Sequence, residues 1–188
     1  YAVSYTSVTM SAWIKTSDTN ATNLPGIVSS VVTGTNDNAQ MVMRNGRLSV
    51  EILDGTNSKS KHYIAEDIVI NDDKWHLVTF TYDRATGVLV LYVDGVARTP
   101  TKTLDETITG GFSVAEQARV GVERTNTYFF KGSIDEVRVY NRALTASEVG
   151  QMYIRNMMPK SKGPLAKSGP LAKSGTSGTS GTSGTSGT

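Results

Sequence analysis

Short runs of alternating apolar and polar residues, cut by turn residues, dominate this chain and commit it to a many-stranded antiparallel sheet. Ser7 to Lys15 puts Val8, Met10, Ala12 and Ile14 on one side. Met41 to Arg44 and Arg47 to Leu53 flank Asn45-Gly46, and Val88 to Asp94 runs through Asp94-Gly95 into Val96-Ala97-Arg98. Both dipeptides mark turns, and Asn45-Gly46 suits a type I′ turn, which needs positive φ at two successive residues. Gly26 to Thr33, Trp75 to Asp83, Ala118 to Glu123 and Phe129 to Tyr140 complete the expected strands.

One helix interrupts the pattern. Thr145 and Glu148 have the spacing of a capping box, and Leu144 and Val149 that of a hydrophobic staple. Val149, Met152 and Tyr153 then form one apolar stripe, so a helix over 146–156 is expected to pack on the sandwich edge.

The 188 residues divide by composition. Residues 1–158 form the expected domain. Residues 159–188 begin at Pro159, continue as GPLAKS twice, and end in Gly-Thr-Ser repeats. That tail cannot bury enough apolar surface to offset chain entropy. It reads as a flexible linker or expression scar, or alternatively as an ordered or glycosylated stalk, and it lacks the prolines of a collagen helix. It carries four of the 19 basic residues and no acid, which leaves 15 basic against 17 acidic residues in the domain. With no basic stripe interleaved with aromatics, nucleic acid is not an expected partner. There is no cysteine, hence no disulfide framework and no thiolate metal site. No apolar run approaches the length of a membrane span.

The motifs of catalysis are missing. Retaining glycoside hydrolysis needs two carboxyls close together, and spacing two on a strand puts both on one face; the chain has no Glu-x-Asp-x-x-Glu triplet, in which the first two acids are so spaced. Glu51 and Asp54 are three apart and face opposite ways. There is no nucleophile elbow and no phosphate loop. No catalytic residue is assigned, and the chain is expected not to be an enzyme.

Four segments carry a family resemblance in order and spacing: Thr9–Thr16 (TMSAWIKT), Trp75–Asp83 (WHLVTFTYD), Leu91–Gly95 (LYVDG) and Phe130–Leu144 (FKGSIDEVRVYNRAL). Over about residues 1 to 155 the chain resembles laminin-G-like domains of the concanavalin A-like lectin/glucanase superfamily. The resemblance implies an all-β fold, a two-sheet antiparallel jelly-roll sandwich with one short C-terminal helix, commonly secreted or on cell surfaces. It implies binding of a glycan or surface protein in some members and often a structural Ca2+. Asp135 is the metal-ligand candidate that follows, helped by loops around Asp18 or Asn20; otherwise Asp135 is a strand carboxylate paired with Arg138 or Arg142. The family's opening strand is cut short at Tyr1-Ala2-Val3, which leaves a sheet edge open to strand addition.

Trp13 and Trp75 read as core aromatics rather than sugar platforms. His76 reads as structural. The loops at 17–24, 34–38, 54–62 and 124–128 hold the hydroxyls and amides that suit a sugar, with Tyr128 as a stacking ring, and they equally suit plain turns; no ligand-binding residue is assigned. Asn20-Ala21-Thr22 is a glycosylation sequon. The expected function is an extracellular, non-catalytic recognition or adhesion module that binds carbohydrate. The alternative is a structural subunit of an extracellular filament, pilus or surface assembly, self-associating through the open edge and tail. A domain appended to a hydrolase, with its chemistry elsewhere, is a third reading.

Overall fold

The computed structural model describes residues 4–5, 7–19, 24–31, 38–54, 58–108, 112–113 and 117–157. In chain order the strands are β1 (Ser4–Tyr5), β2 (Ser7–Lys15), β3 (Gly26–Val31), β4 (Asn38–Arg44), β5 (Arg47–Asp54), β6 (Lys59–Ile64) and β7 (Trp75–Asp83). They continue as β8 (Val88–Val93), β9 (Val96–Ala97), β10 (Thr101–Asp105), β11 (Phe112–Ser113), β12 (Gln117–Val120) and β13 (Ser133–Tyr140), followed by helix α1 (Ala146–Met157).

Two antiparallel sheets make the sandwich. One has six strands in the order β10-β6-β5-β4-β3-β12, the other five in the order β13-β2-β7-β8-β9. β1 and β11 form a separate pair. The expected all-β jelly-roll architecture is therefore observed.

Strand alternation fills the core as the pattern requires. Val8, Met10, Ala12 and Ile14 of β2 face Met41, Val50 and Ile52 of the other sheet within one buried cluster. Phe80 and Tyr82 of β7 and Leu91 of β8 join them, and all three are fully buried. Both expected hairpin turns form with positive φ at successive residues: 52° and 74° at Asn45 and Gly46, 55° and 76° at Asp94 and Gly95. That is the type I′ signature.

Two strands lie where turns or nothing had been expected. β6 occupies part of the expected loop at 54–62, because Lys59, Lys61 and Tyr63 alternate with Ser60, His62 and Ile64 as register demands. β10 is exposed along its whole length and carries almost no apolar signal. Conversely, the expected strand over Phe129 to Tyr140 begins only at Ser133; Phe129 makes isolated bridges to Gly26 and Val122.

The helix is capped as expected. The Glu148 amide donates to Thr145 Oγ1 at 3.3 Å, and the Thr145 amide donates to Glu148 Oε2 at 2.9 Å. Leu144 and Val149 close the staple within a cluster around Tyr92. α1 packs on the outer face of the five-stranded sheet and reaches its β9 edge: Gly95 of the β8–β9 turn lies against Gly150 and Tyr153, and Tyr153 stacks on Trp13, which β2 alternation turns away from the core. Trp13 is thus buried, but beneath the helix instead of between the sheets.

Contacts divide the chain into Tyr1–Met158 and Pro159–Thr188. The expectations for the truncated first strand at 1–3, the sequon at 20–22, the loop at 34–37 and the tail at 159–188 lie outside the described residues.

Candidate functional site

At one end of the sandwich, Lys15 pairs with Trp75 across one ladder and with Ser133 across the other. The end of β2, the start of β13 and the segment just before β7 border a cleft of about 640 Å³, lined by residues that include Lys15, Thr16, Asp18, Asp73, Lys131 and Ser133. Thr16 joins its walls. Its Oγ1 donates to the Lys131 carbonyl at 2.6 Å and accepts the Asp18 amide at 3.0 Å, while its carbonyl accepts the Asp73 amide at 3.0 Å. Asn71 Nδ2 donates to the Asp18 carbonyl at 3.1 Å. Gly132 permits the closeness: a Cβ there would stand 2.2 Å from the Lys15 carbonyl oxygen, and φ is 149°.

The charges of this cleft balance. Lys15 lies 3.7 Å from Asp73 and Lys131 lies 3.9 Å from Asp18. These are long pairs that hold little energy. Trp75 stands on the face of Lys15, since directly opposed residues share a face. It is 45% exposed, against 7% for Trp13. The expectation of a core Trp75 is therefore corrected: it begins its strand on the outer face, and α1 covers Trp13 but leaves Trp75 open.

His76 is structural, as expected. Its Nδ1 lies 2.8 Å from Asp94 Oδ2 and its Nε2 lies 3.0 Å from Asp72 Oδ1. Asp94 also accepts the Leu77 amide at 3.0 Å, which fastens the β8–β9 turn to β7. The Asp72 carboxyl is held well below the usual carboxylate range by hydrogen bonds from Lys74 and then His76.

A second polar constellation crosses the outer face of the six-stranded sheet. Ser29, Gln40, Glu51 and His62 are successive register partners. Gln40 Nε2 donates to Glu51 Oε2 at 2.7 Å, and Gln40 Oε1 accepts the Arg124 amide at 3.1 Å. His62 Nε2 lies 2.9 Å from Ser49 Oγ and 3.9 Å from Glu51 Oε1, and its Nδ1 lies 2.6 Å from Thr103 Oγ1. Burial pushes the His62 pKa down, against the pull of Glu51. Glu51 is the one carboxylate of this row, and alternation sends Asp54 to the other face. The row braces neighbouring strands and does not assemble the two facing carboxyls of glycoside hydrolysis.

The loop at 124–128 is organised by one carboxylate. Glu123 accepts the Thr125 hydroxyl at 2.6 Å and the amides of Thr125, Thr127 and Tyr128 at 2.5, 2.8 and 3.3 Å. Burial raises the Glu123 pKa, but these bonds together outweigh it and leave it below its ordinary value. Tyr128 is 39% exposed and remains accessible to a ligand.

Asp135 lies opposite Trp13, just before a bulge between Asp135 and Arg138. Its Oδ1 accepts the Glu136 amide at 2.7 Å, and Glu136 takes φ of 50° within the bulge. Glu136 pairs with Arg138, and Arg142 with Glu148. Calcium wants six to eight oxygens. Among the described residues no group of three or more His, Cys, Asp or Glu side chains comes together to hold a metal.

The sequence model of the concanavalin A-like lectin/glucanases superfamily matches residues 2–150. The chain belongs to this superfamily. Solved structures share its fold at identities too low to carry more than the fold. The heptameric SAP-like pentraxin of Limulus polyphemus superposes with a TM-score of 0.58 and 17% identity, covering 81% of this chain and 71% of that one. The receptor binding domain of botulinum neurotoxin C/D mosaic serotype gives 0.61 and 22%, over 82% of this chain and 37% of that one. The binding domain of Paraclostridial Mosquitocidal Protein 1 gives 0.59 and 19%, over 80% and 37%. This chain thus covers just over a third of the length of each of the last two. No curated protein matches the sequence. Among the described residues no helix is long and apolar enough to cross a membrane.

Proposed function

We propose that this chain is an extracellular, non-catalytic recognition module that binds carbohydrate at the cleft between Lys15, Asp18, Asp73 and Lys131. The observation that carries the reading is the exposed Trp75 on the face of Lys15, beside a charge-balanced cleft of about 640 Å³. A sugar ring needs an aromatic platform for its apolar face and fixed donors and acceptors for its hydroxyls. The cleft offers ammonium, carboxylate and hydroxyl groups, and the Thr16 hydroxyl ties together the backbone at Asp18 and Lys131 that carries two of them. Two of the structural neighbours are described as a receptor binding domain and a binding domain, which supports a recognition role for the fold.

The test is a screen of neutral oligosaccharides, with and without calcium, followed by titration calorimetry of the best ligand against wild type and Trp75→Ala. Loss of the platform should weaken binding at least about tenfold, roughly 1.4 kcal/mol, and leave the melting temperature unchanged. Equal affinity in Trp75→Ala, or no neutral sugar bound at all, would sink the reading. Sedimentation of the same protein addresses the alternative of a self-assembling surface subunit.

A further inference from the structure

The two glycine hairpin turns share one backbone conformation but differ at their first side chain. At Asp94 the carboxylate is engaged: Oδ1 accepts the Leu77 amide at 3.0 Å, and Oδ2 lies 2.8 Å from His76 Nδ1. Asn45 is exposed, and its carboxamide has no hydrogen-bond partner among the described residues. Asn45-Gly46 is also the only Asn-Gly pair in the sequence.

A free carboxamide followed by glycine is open to attack from its own backbone. Once its proton has left, the Gly46 nitrogen can bond to Asn45 Cγ, and the bond from Cγ to the side-chain nitrogen breaks with release of ammonia. The resulting five-membered succinimide takes up water at either carbonyl and opens to aspartate or to isoaspartate. Water is the only reagent, and nothing is oxidised or reduced. Glycine matters here because no Cβ crowds the approach. The hairpin ladder closes at Arg44 and Arg47, so the Gly46 amide stands outside it. Arg47 supplies the remaining ingredient. Its Nη1 donates to the Asn45 carbonyl at 3.0 Å. That carbonyl is conjugated with the Gly46 nitrogen, and a cation bonded to it favours the deprotonated amide.

We propose that Asn45 is a deamidation site, with Arg47 promoting attack by the Gly46 nitrogen, and that the Asp94-Gly95 turn is inert by comparison. The two products differ in consequence. Aspartate keeps the chain length and adds a carboxylate beside Arg47. Isoaspartate puts an extra main-chain atom into a two-residue turn that is pinned from the side: the Gly46 carbonyl accepts the Ile70 amide at 2.8 Å, and Ile70 is fully buried. A displaced Gly46 carbonyl disturbs residues 70 and 71, and Asn71 Nδ2 in turn holds the Asp18 carbonyl at 3.1 Å. The modification thereby reaches from an exposed turn to a wall of the Trp75 cleft.

The experiment is incubation of the full chain at mildly alkaline pH, followed by peptide mapping by mass spectrometry and labelling with an isoaspartyl methyltransferase. The peptide holding residues 45 and 46 should gain one mass unit and accept the methyl label ahead of every other asparagine peptide, while the peptide holding residues 94 and 95 stays unlabelled. Amide NMR of the aged protein should show new resonances at residues 44–48, 70–71 and 18. Arg47→Met, checked for folding by its retained spectrum, should deamidate several-fold more slowly. A merely structural role for Arg47 predicts the opposite sign, since a loosened turn eases the attack. No mass gain at Asn45, or equal labelling at Asp94, overturns the proposal; an equal or faster rate in Arg47→Met overturns the part given to Arg47. Neither the reaction nor its readout depends on what the cleft binds.

Discussion

Tyr153 lies over Trp13 with ring centroids 5.8 Å apart and planes inclined by 21°. This stack ties the terminal helix to the second strand of the chain. Removing one ring leaves the other uncovered on the outer face. Tyr153→Ala is expected to cost about 3 kcal/mol, the scale of an aromatic truncation at a packed site. Urea denaturation of the variant measures it, and a loss of helical signal ahead of the main transition would mark detachment of α1.

Gly132→Ala should be among the most damaging single substitutions. Its Cβ would sit 2.2 Å from a backbone oxygen that cannot retreat without breaking the β2–β13 ladder. A loss of about 3 kcal/mol follows from overpacking and backbone strain. The same variant should lose ligand at the Trp75 cleft, and thermal melts with calorimetry report both.

The helix cap confers an acid sensitivity whose sign is fixed. Hydrogen bonds from the Arg142 guanidinium, and then from Thr145, lower the Glu148 pKa from 4.5 to about 2. A carboxylate with a depressed folded pKa adds stability that is fully present above its unfolded pKa and is lost as pH falls through the folded one. The melting temperature should therefore decline between about pH 4.5 and pH 2, and Glu148→Gln should flatten that decline. An unchanged pH profile in the variant would count against the cap.

Glu123→Ala is expected to loosen the Arg124–Tyr128 segment. Three amides lose their acceptor, in a protein where unmet buried donors cost about 1–3 kcal/mol each before water compensates. A net loss of about 2 kcal/mol and faster hydrogen exchange at 125–128 are the expected readings.

The strands that line the core were legible because each alternates strongly: Val8, Met10, Ala12 and Ile14 name their own inner face. So were the two hairpin turns and the helix cap, where short-range chemistry decides the geometry. β10 was not, since Thr101 to Asp105 is held by its ladder to β6 and has little apolar content of its own. Trp75 was misread because alternation tells which residues share a face but not how far a covering helix reaches along it. The cleft escaped notice for a related reason. Lys15, Asp73 and Lys131 converge through the ladders of three strands. Asp135 drew attention as a metal ligand through the family resemblance, while the better-connected carboxylates, Glu123 and Asp105, carried no local motif.

The pairing of β13 with β2 has a consequence for how the molecule comes into being. Residues 133–140 must find residues 9–15 across more than a hundred intervening positions. Such non-local closure slows folding, because loop entropy is spent before any contact repays it. A ribosome synthesising this chain must expose nearly the entire domain before the five-stranded layer can be completed. Until then β2 waits with one bare margin, vulnerable to any passing strand, and a chaperone would have most to do in that interval.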